Sequence, residues 1–231
     1  MAPSLIGIDA DDTLWHNEPV FRLTHERFNA LLSDFADPDT VEAKLAQVER
    51  DNLDTYGYGA KGFTLSMIQT ALEISDSRAP LSVIEEIVAA GKEMMLHPHE
   101  PLPGVEQALE RLKDRGPLVL ITKGDLFHQE SKLAASGLGS YFSGVEIVSE
   151  KTPETYARVF ARHGGRAETS MMAGNSVRSD ILPMLEAGGW AALIPYPLVW
   201  AHEAAEAPED HPRFRELGAL DELANWLDEI G

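Results

Sequence analysis

Short apolar runs of strand length recur along the chain at Leu5-Ile6-Gly7-Ile8, Leu118-Val119-Leu120-Ile121, Met171-Met172-Ala173 and Ala191-Ala192-Leu193-Ile194. Each is followed by a polar or turn residue, the pattern of strands buried on both faces of a sheet. Helix-period segments lie between them: residues 105–115 with Leu109 and Leu112 as a stripe, 127–136, 153–163, and 179–187 closing at Gly188-Gly189. Val145-Glu146-Ile147-Val148 adds a short strand, and Pro153 suits the first turn of the helix after it. Alternating strands and helices predict a Rossmann-like α/β core built on a parallel sheet.

Residues 15–99 break the alternation. They carry long helical patterns and no convincing strand: Phe21, Phe28, Leu31 and Leu32; Val41, Leu45 and Val48; Leu65, Ile68 and Leu72; Val83, Ile87 and Val88. The expected organisation is a core of residues 1–14 and 100–231, interrupted by an all-helical insertion at 15–99. Gly57, Gly59 and Gly62 interrupt the bundle, and the Pro-rich stretch from His97 to Pro103 reads as the return linker. Residues 200–212, rich in Ala, Glu and Pro, predict an exposed connection before a last helix at 220–227.

Composition narrows the function. The 231 residues are 44% hydrophobic and 25% charged, which suits a globular chain with a sizeable core. With 38 Asp plus Glu against 19 Lys plus Arg, the net charge of −19 disfavours nucleic acid and anionic membranes as partners. The absence of cysteine excludes disulfides, thiolate metal sites and a cysteine nucleophile. With no long apolar stretch and no basic leader, the expected location is the cytoplasm.

The densest chemistry is Ile8-Asp9-Ala10-Asp11-Asp12-Thr13, three carboxylates in four residues directly after the first strand, where parallel sheets bind ligands. Two unit charges about 4 Å apart repel by roughly 4 kcal/mol at an effective dielectric near 20, so the cluster calls for a cation. Oxygen ligands favour magnesium. Further along, Thr122-Lys123-Gly124 ends the second strand, offering a hydroxyl and backbone amides to an anion. Lys151 precedes a helix, and Ala173-Gly174-Asn175-Ser176-Val177-Arg178-Ser179-Asp180 follows the strand at Met171.

These four segments, in this order, resemble the motifs of the haloacid dehalogenase superfamily, whose first motif is Asp-x-Asp-x-Thr. The resemblance implies that Asp9 is a nucleophile taking the phosphoryl group as an aspartyl phosphate, and that Asp11 is general acid and then base. A carboxylate is a competent nucleophile, and splitting the displacement in two lets one carboxyl serve both halves. The acid at position 11 points to phosphatases, since the dehalogenases of the superfamily lack one there. Neighbouring carboxylates should raise the pKa of Asp11. Asp12 is expected to stabilise the turn, and Thr13 to hydrogen-bond within the loop.

The resemblance further implies that Thr122, with Lys123 and Gly124, binds the phosphate, and that Lys151 offsets the charge on Asp9. It places magnesium among Asp9, Asp11, Asn175 and Asp180. Asn175 departs from the family pattern by bringing an amide where an acid is usual, which leaves open whether it or Asp180 is the direct ligand. The insertion resembles the superfamily's helical cap, which closes over the cleft and favours small substrates. Trp15, with His16, Asn17 and Glu18 beside it, is a candidate substrate contact, as is the stretch from Tyr56 to Lys61, whereas Tyr196, Trp200 and His202 suit loop packing. The expected activity is magnesium-dependent hydrolysis of a small phosphorylated metabolite. Alternatives are a phosphomutase, which would share these residues, or a non-catalytic phosphate-binding protein.

Overall fold

The computed structural model describes residues 3–198, 200 and 203–231; His202 lies outside them. Six strands form one parallel sheet: β1 (Leu5–Ile8), β2 (Leu118–Lys123), β3 (Gly144–Val148), β4 (Ser170–Gly174), β5 (Trp190–Leu193) and β6 (Phe214–Glu216), in the order β3-β2-β1-β4-β5-β6. The first strand is central, with Ile8 in register with Leu120 on one side and with Ala173 on the other. All strand ends of the same sense therefore lie along one edge, so the segments after β1, β2 and β4 share that edge.

Side chains alternate between the two sheet faces. Ile6, Ile8, Leu118, Leu120 and Met171 pack on one side with α5 (Val105–Leu112) and α9 (Leu223–Ile230). Leu5, Val119, Ile121 and Met172 pack on the other with α7 (Pro153–Arg162) and α8 (Leu182–Glu186). The fold is a Rossmann-like α/β core with helices on both faces, as the sequence pattern predicts. β6 is the strand that pattern misses. Three residues, none of them buried, are too few to show a period.

A second departure comes after β4. Residues 177–181, expected in part within one helix, form a π-type turn, and α8 starts only at Leu182. Pro183 has no N–H to donate back to the carbonyl of Ser179. That carbonyl instead accepts the hydroxyl of the buried Tyr156, at 2.8 Å.

The chain divides into two compact units. One comprises the chain up to Glu18 with His99–Lys123 and Gln129–Gly231; the other is Pro19–Pro98 together with Gly124–His128. The second contains α1 (Glu18–Leu31) from its second residue, α2 (Pro38–Tyr56), α3 (Ala60–Ile74), α4 (Leu81–Leu96) and the start of α6 (Leu126–Ser136). Its core is Phe28, Leu32, Val41, Leu45, Phe63, Met67 and Ile87. The buried stripe of α3 is Phe63, Met67 and Ala71, whereas Leu65 and Leu72 are exposed. Gly91 of α4 lets the two helices approach closely, since a Cβ there would meet the Thr64 side chain at 2.2 Å. Among the described residues no helix is long and apolar enough to cross a membrane.

Gly7 is the tightest point of the central strand: an added Cβ would meet Ile121 at 2.8 Å, Met172 at 3.0 Å and Phe160 at 3.1 Å. Gly7→Ala is expected to destabilise by about 1–3 kcal/mol through overpacking, read as a lower urea midpoint with an unchanged slope. An unshifted midpoint would show that these three side chains move aside freely.

Candidate active site

The site is assembled at the end of β1. The backbone N–H of Asp9 donates to the Ala173 carbonyl at 2.9 Å, holding the loop against β4. The Asp9 carboxylate accepts the Lys151 ammonium at Oδ1 (2.5 Å) and the Thr13 hydroxyl at Oδ2 (3.1 Å). Lys151 also donates to Asp180 Oδ1 at 2.6 Å, and the Ser176 N–H occupies Asp180 Oδ2 at 2.9 Å. Asp180 packs directly on the strand end, since a Cβ at Gly174 would meet its Oδ2 at 2.2 Å. Asp9, Lys151 and Asp180 are all buried.

One ammonium thus serves two buried carboxylates, leaving a net negative charge out of water. Burial, opposed by Lys151 and reinforced by Asp180, pushes the Asp9 carboxyl up to about 7. Burial disfavours the Lys151 ammonium, but Asp180 and Asp9 outweigh it and raise that group above its ordinary value.

Asp11 is held by a different set. Lys132 Nζ reaches its two oxygens at 2.9 and 3.1 Å, Trp15 Nε1 donates to Oδ1 at 2.8 Å, and Gln129 Nε2 donates to Oδ2 at 3.0 Å. Burial alone would raise this carboxyl, but Lys132 and the two other donors lower it instead. The expected upward shift is therefore corrected: the sequence shows the neighbouring carboxylates but not the buried cation. Asp12, at φ 62°, accepts the Asn17 and Glu18 N–H groups at 2.8 and 3.1 Å, capping the start of α1 as expected of a turn residue.

Trp15, expected as a substrate contact, is fully buried in the core, and its ring N–H orients Asp11. Thr122 is buried too, its hydroxyl oxygen accepting Gln129 Nε2 at 2.8 Å. Lys123, expected on the substrate side, pairs with Glu203 at 2.6 Å and Glu150 at 3.4 Å and donates to the Ser179 hydroxyl at 2.9 Å. Gly124 falls in the helical unit. His16 meets the Tyr196 hydroxyl through its ring nitrogen.

A profile of haloacid dehalogenase-like hydrolases matches residues 3–188. The chain belongs to this family. A haloacid dehalogenase-like family hydrolase from Xanthomonas campestris is 42% identical, with a TM-score of 0.89 over 99% of this chain and 92% of that one. Fold alone is shared with a HAD-hydrolase from Bacillus subtilis solved with bound magnesium (18% identity, TM-score 0.66, covering 99% of this chain and 100% of that one). The same holds for the L-2-haloacid dehalogenase of Xanthobacter autotrophicus (13% identity, TM-score 0.68, covering 99% of this chain and 100% of that one). No curated protein matches.

Hydrolases of this family generally use magnesium, and the donor set can be tested against that ion. The Thr13 hydroxyl has one proton and two acceptors, Asp9 Oδ2 at 3.1 Å and Asn175 Oδ1 at 3.4 Å. Two oxygens therefore converge where negative charge is in excess, and they suit a small hard cation that keeps most of its waters. Asp11 and Asp180, the other expected ligands, carry ammonium groups on their side-chain oxygens as Asp9 does, from Lys132 and Lys151, but neither shares a hydroxyl with Asn175. Among the described residues no three His, Cys, Asp or Glu side chains surround a common metal position. Asp9 and Asn175 are the pair whose oxygens share the Thr13 hydroxyl.

Sequence reading missed Lys132, Gln129, Tyr156 and Glu203. The first two were signalled by their spacing of three on a helix after the Thr122 segment; nothing in the Ala- and Glu-rich tail singled out Glu203. This hydrolase uses Glu203 to tie that tail to the loop after β4, through Lys123 and the hydroxyls of Ser176 and Ser179. Burial would raise the Glu203 carboxyl, but Lys123 and the two hydroxyls hold it at about 2, against 4.5 ordinarily. A depressed carboxyl contributes stability above its unfolded pKa and loses it as pH falls toward the folded value. The stability gap between the wild type and Glu203→Gln is expected to narrow by about 2 kcal/mol between pH 6 and pH 3 in urea titrations. A constant gap would show that the ion pair contributes nothing.

Proposed function

We propose that this hydrolase cleaves small phosphomonoesters through an aspartyl phosphate on Asp9, with Asp11 as general acid and base and magnesium as cofactor. The observation that carries this reading is the pair of carboxylates two residues apart with separate partners, Lys151 and Thr13 for one, Lys132, Trp15 and Gln129 for the other. Carboxyls whose environments set them apart can take different roles in one reaction. Asp11 is also what favours phosphate over halide, because a departing halide needs no proton and a departing alkoxide does.

In the first half Asp9 attacks phosphorus, the bond to the leaving oxygen breaks, and that oxygen takes the proton that Asp11 gained from water in the preceding turnover, although Lys132 favours the ionised form of Asp11. Lys151 offsets negative charge at the attacking carboxylate. In the second half a water attacks phosphorus, Asp11 removes its proton, and Asp9 departs as a carboxylate. Magnesium, held by Asp9 and Asn175, would supply positive charge to the phosphoryl oxygens. The magnesium bound to the Bacillus subtilis HAD-hydrolase supports the choice of ion.

Phosphate release from a panel of small phosphomonoesters is expected to require magnesium and to vanish in Asp9→Asn, with the fold intact by circular dichroism. Activity of that variant at the wild-type rate would end the mechanism. Asn175→Asp adds ligand charge and is expected to tighten magnesium binding by roughly tenfold; unchanged affinity on titration would place position 175 outside the metal site.

A further inference from the structure

The α6 residues Gln129 and Lys132 lie three positions apart, one helical turn, and both are buried. Their side chains converge on Asp11, but not on Asp11 alone. Gln129 Nε2 also reaches the Thr122 hydroxyl oxygen at 2.8 Å and the Lys123 carbonyl at 2.6 Å, so one amide nitrogen joins the loop after β1 to the end of β2. Lys132 Nζ also donates to Asn17 Oδ1 at 2.7 Å, beyond the turn that Asp12 caps.

Two features of this arrangement carry a cost. Lys132 is a buried cation, 3% exposed, which a purely structural helix could replace with an apolar residue of the same length. The Gln129 Oε1 atom is buried without a hydrogen-bond partner, whereas a leucine of nearly the same volume would leave no acceptor orphaned. Neither residue is explained by packing. Both costs fall on the carboxylate that the proposed reaction requires as a base.

We propose that Gln129 and Lys132 are positioning residues for Asp11, holding its carboxylate in the orientation from which it takes a proton from water in the second half of the reaction. This rests on the phosphatase reading above. Lys132 engages both Asp11 oxygens and Gln129 one of them from the helix side while Trp15 holds the carboxylate from the loop side, so its rotation is restricted. In the step served, the water oxygen bonds to phosphorus, the bond from phosphorus to Asp9 breaks, and the water proton passes to Asp11.

The test uses p-nitrophenyl phosphate, whose leaving group departs without a proton, so that only the second half needs Asp11. In Lys132→Met, kcat is expected to fall about a hundredfold, with one equivalent of p-nitrophenol per enzyme released in a burst before the slow steady state. Gln129→Leu, which removes the orphaned acceptor and keeps the volume, is expected to show the same burst with a smaller fall in kcat and normal thermal stability. A merely structural role would slow both halves together and give no burst. Wild-type kinetics in Gln129→Leu, or a loss without a burst in both variants, would overturn the positioning role while the wild type still turned over. No hydrolysis by the wild type would overturn the phosphatase reading and this inference with it.

Discussion

The bridge from Lys151 to both Asp9 and Asp180 is the interaction on which the rest of the site depends. Removing one member of a buried ion pair leaves an uncompensated charge and costs about 3–5 kcal/mol, so three residues from separate parts of the chain are bound to one another's presence. The parallel sheet makes this possible by bringing the segments after β1 and β4 to one edge, with Lys151 arriving just after β3. The remaining oxygens are taken by Thr13 and by the Ser176 N–H, which sets the rotamers of both carboxylates. One cation against two anions leaves the charge imbalance that a metal ion or a proton must meet.

Around this centre the cations are distributed one per task. Lys151 serves Asp9 and Asp180, Lys132 serves Asp11 and Lys123 the tail residue Glu203. In a chain of net charge −19 such pairing keeps each buried carboxylate from raising the energy of the next. It also separates Asp9 from Asp11 electrostatically although they are two residues apart: burial raises both carboxyls, but at Asp11 the Lys132, Trp15 and Gln129 donors together outweigh it.

The loop after β4 departs from regular helix where it carries Asp180 of the candidate site. Pro183 removes a backbone donor, Tyr156 replaces it with a buried hydroxyl, and the π-type turn that results carries Ser179 and Asp180 inward. Local irregularity of this kind is where sequence periodicity is least informative, because a tertiary contact decides which carbonyl is satisfied by which donor.

The sequence by itself determined the alternation of strands and helices and the helical character of residues 15–99, and its resemblance to a known family marked Asp9, Asp11, Thr122, Lys151, Asn175 and Asp180 as candidate site residues. It could do so because those features are local: strand-length apolar runs, helical stripes and acidic clusters at strand ends are visible within a window of a few residues. The tertiary structure alone decided that Asp11 is held down rather than up, that Trp15 is a buried orienting donor, that α3 buries Phe63 and Met67 rather than Leu65 and Leu72, and that Glu203 returns to Lys123. The contacts of Asp11 with Lys132 and of Glu203 with Lys123 join groups 121 and 80 residues apart, and the burial of Trp15 and of the α3 stripe depends on what other segments pack against them. Charge and packing act through space, and their sign is settled only when the chain has brought the partners together.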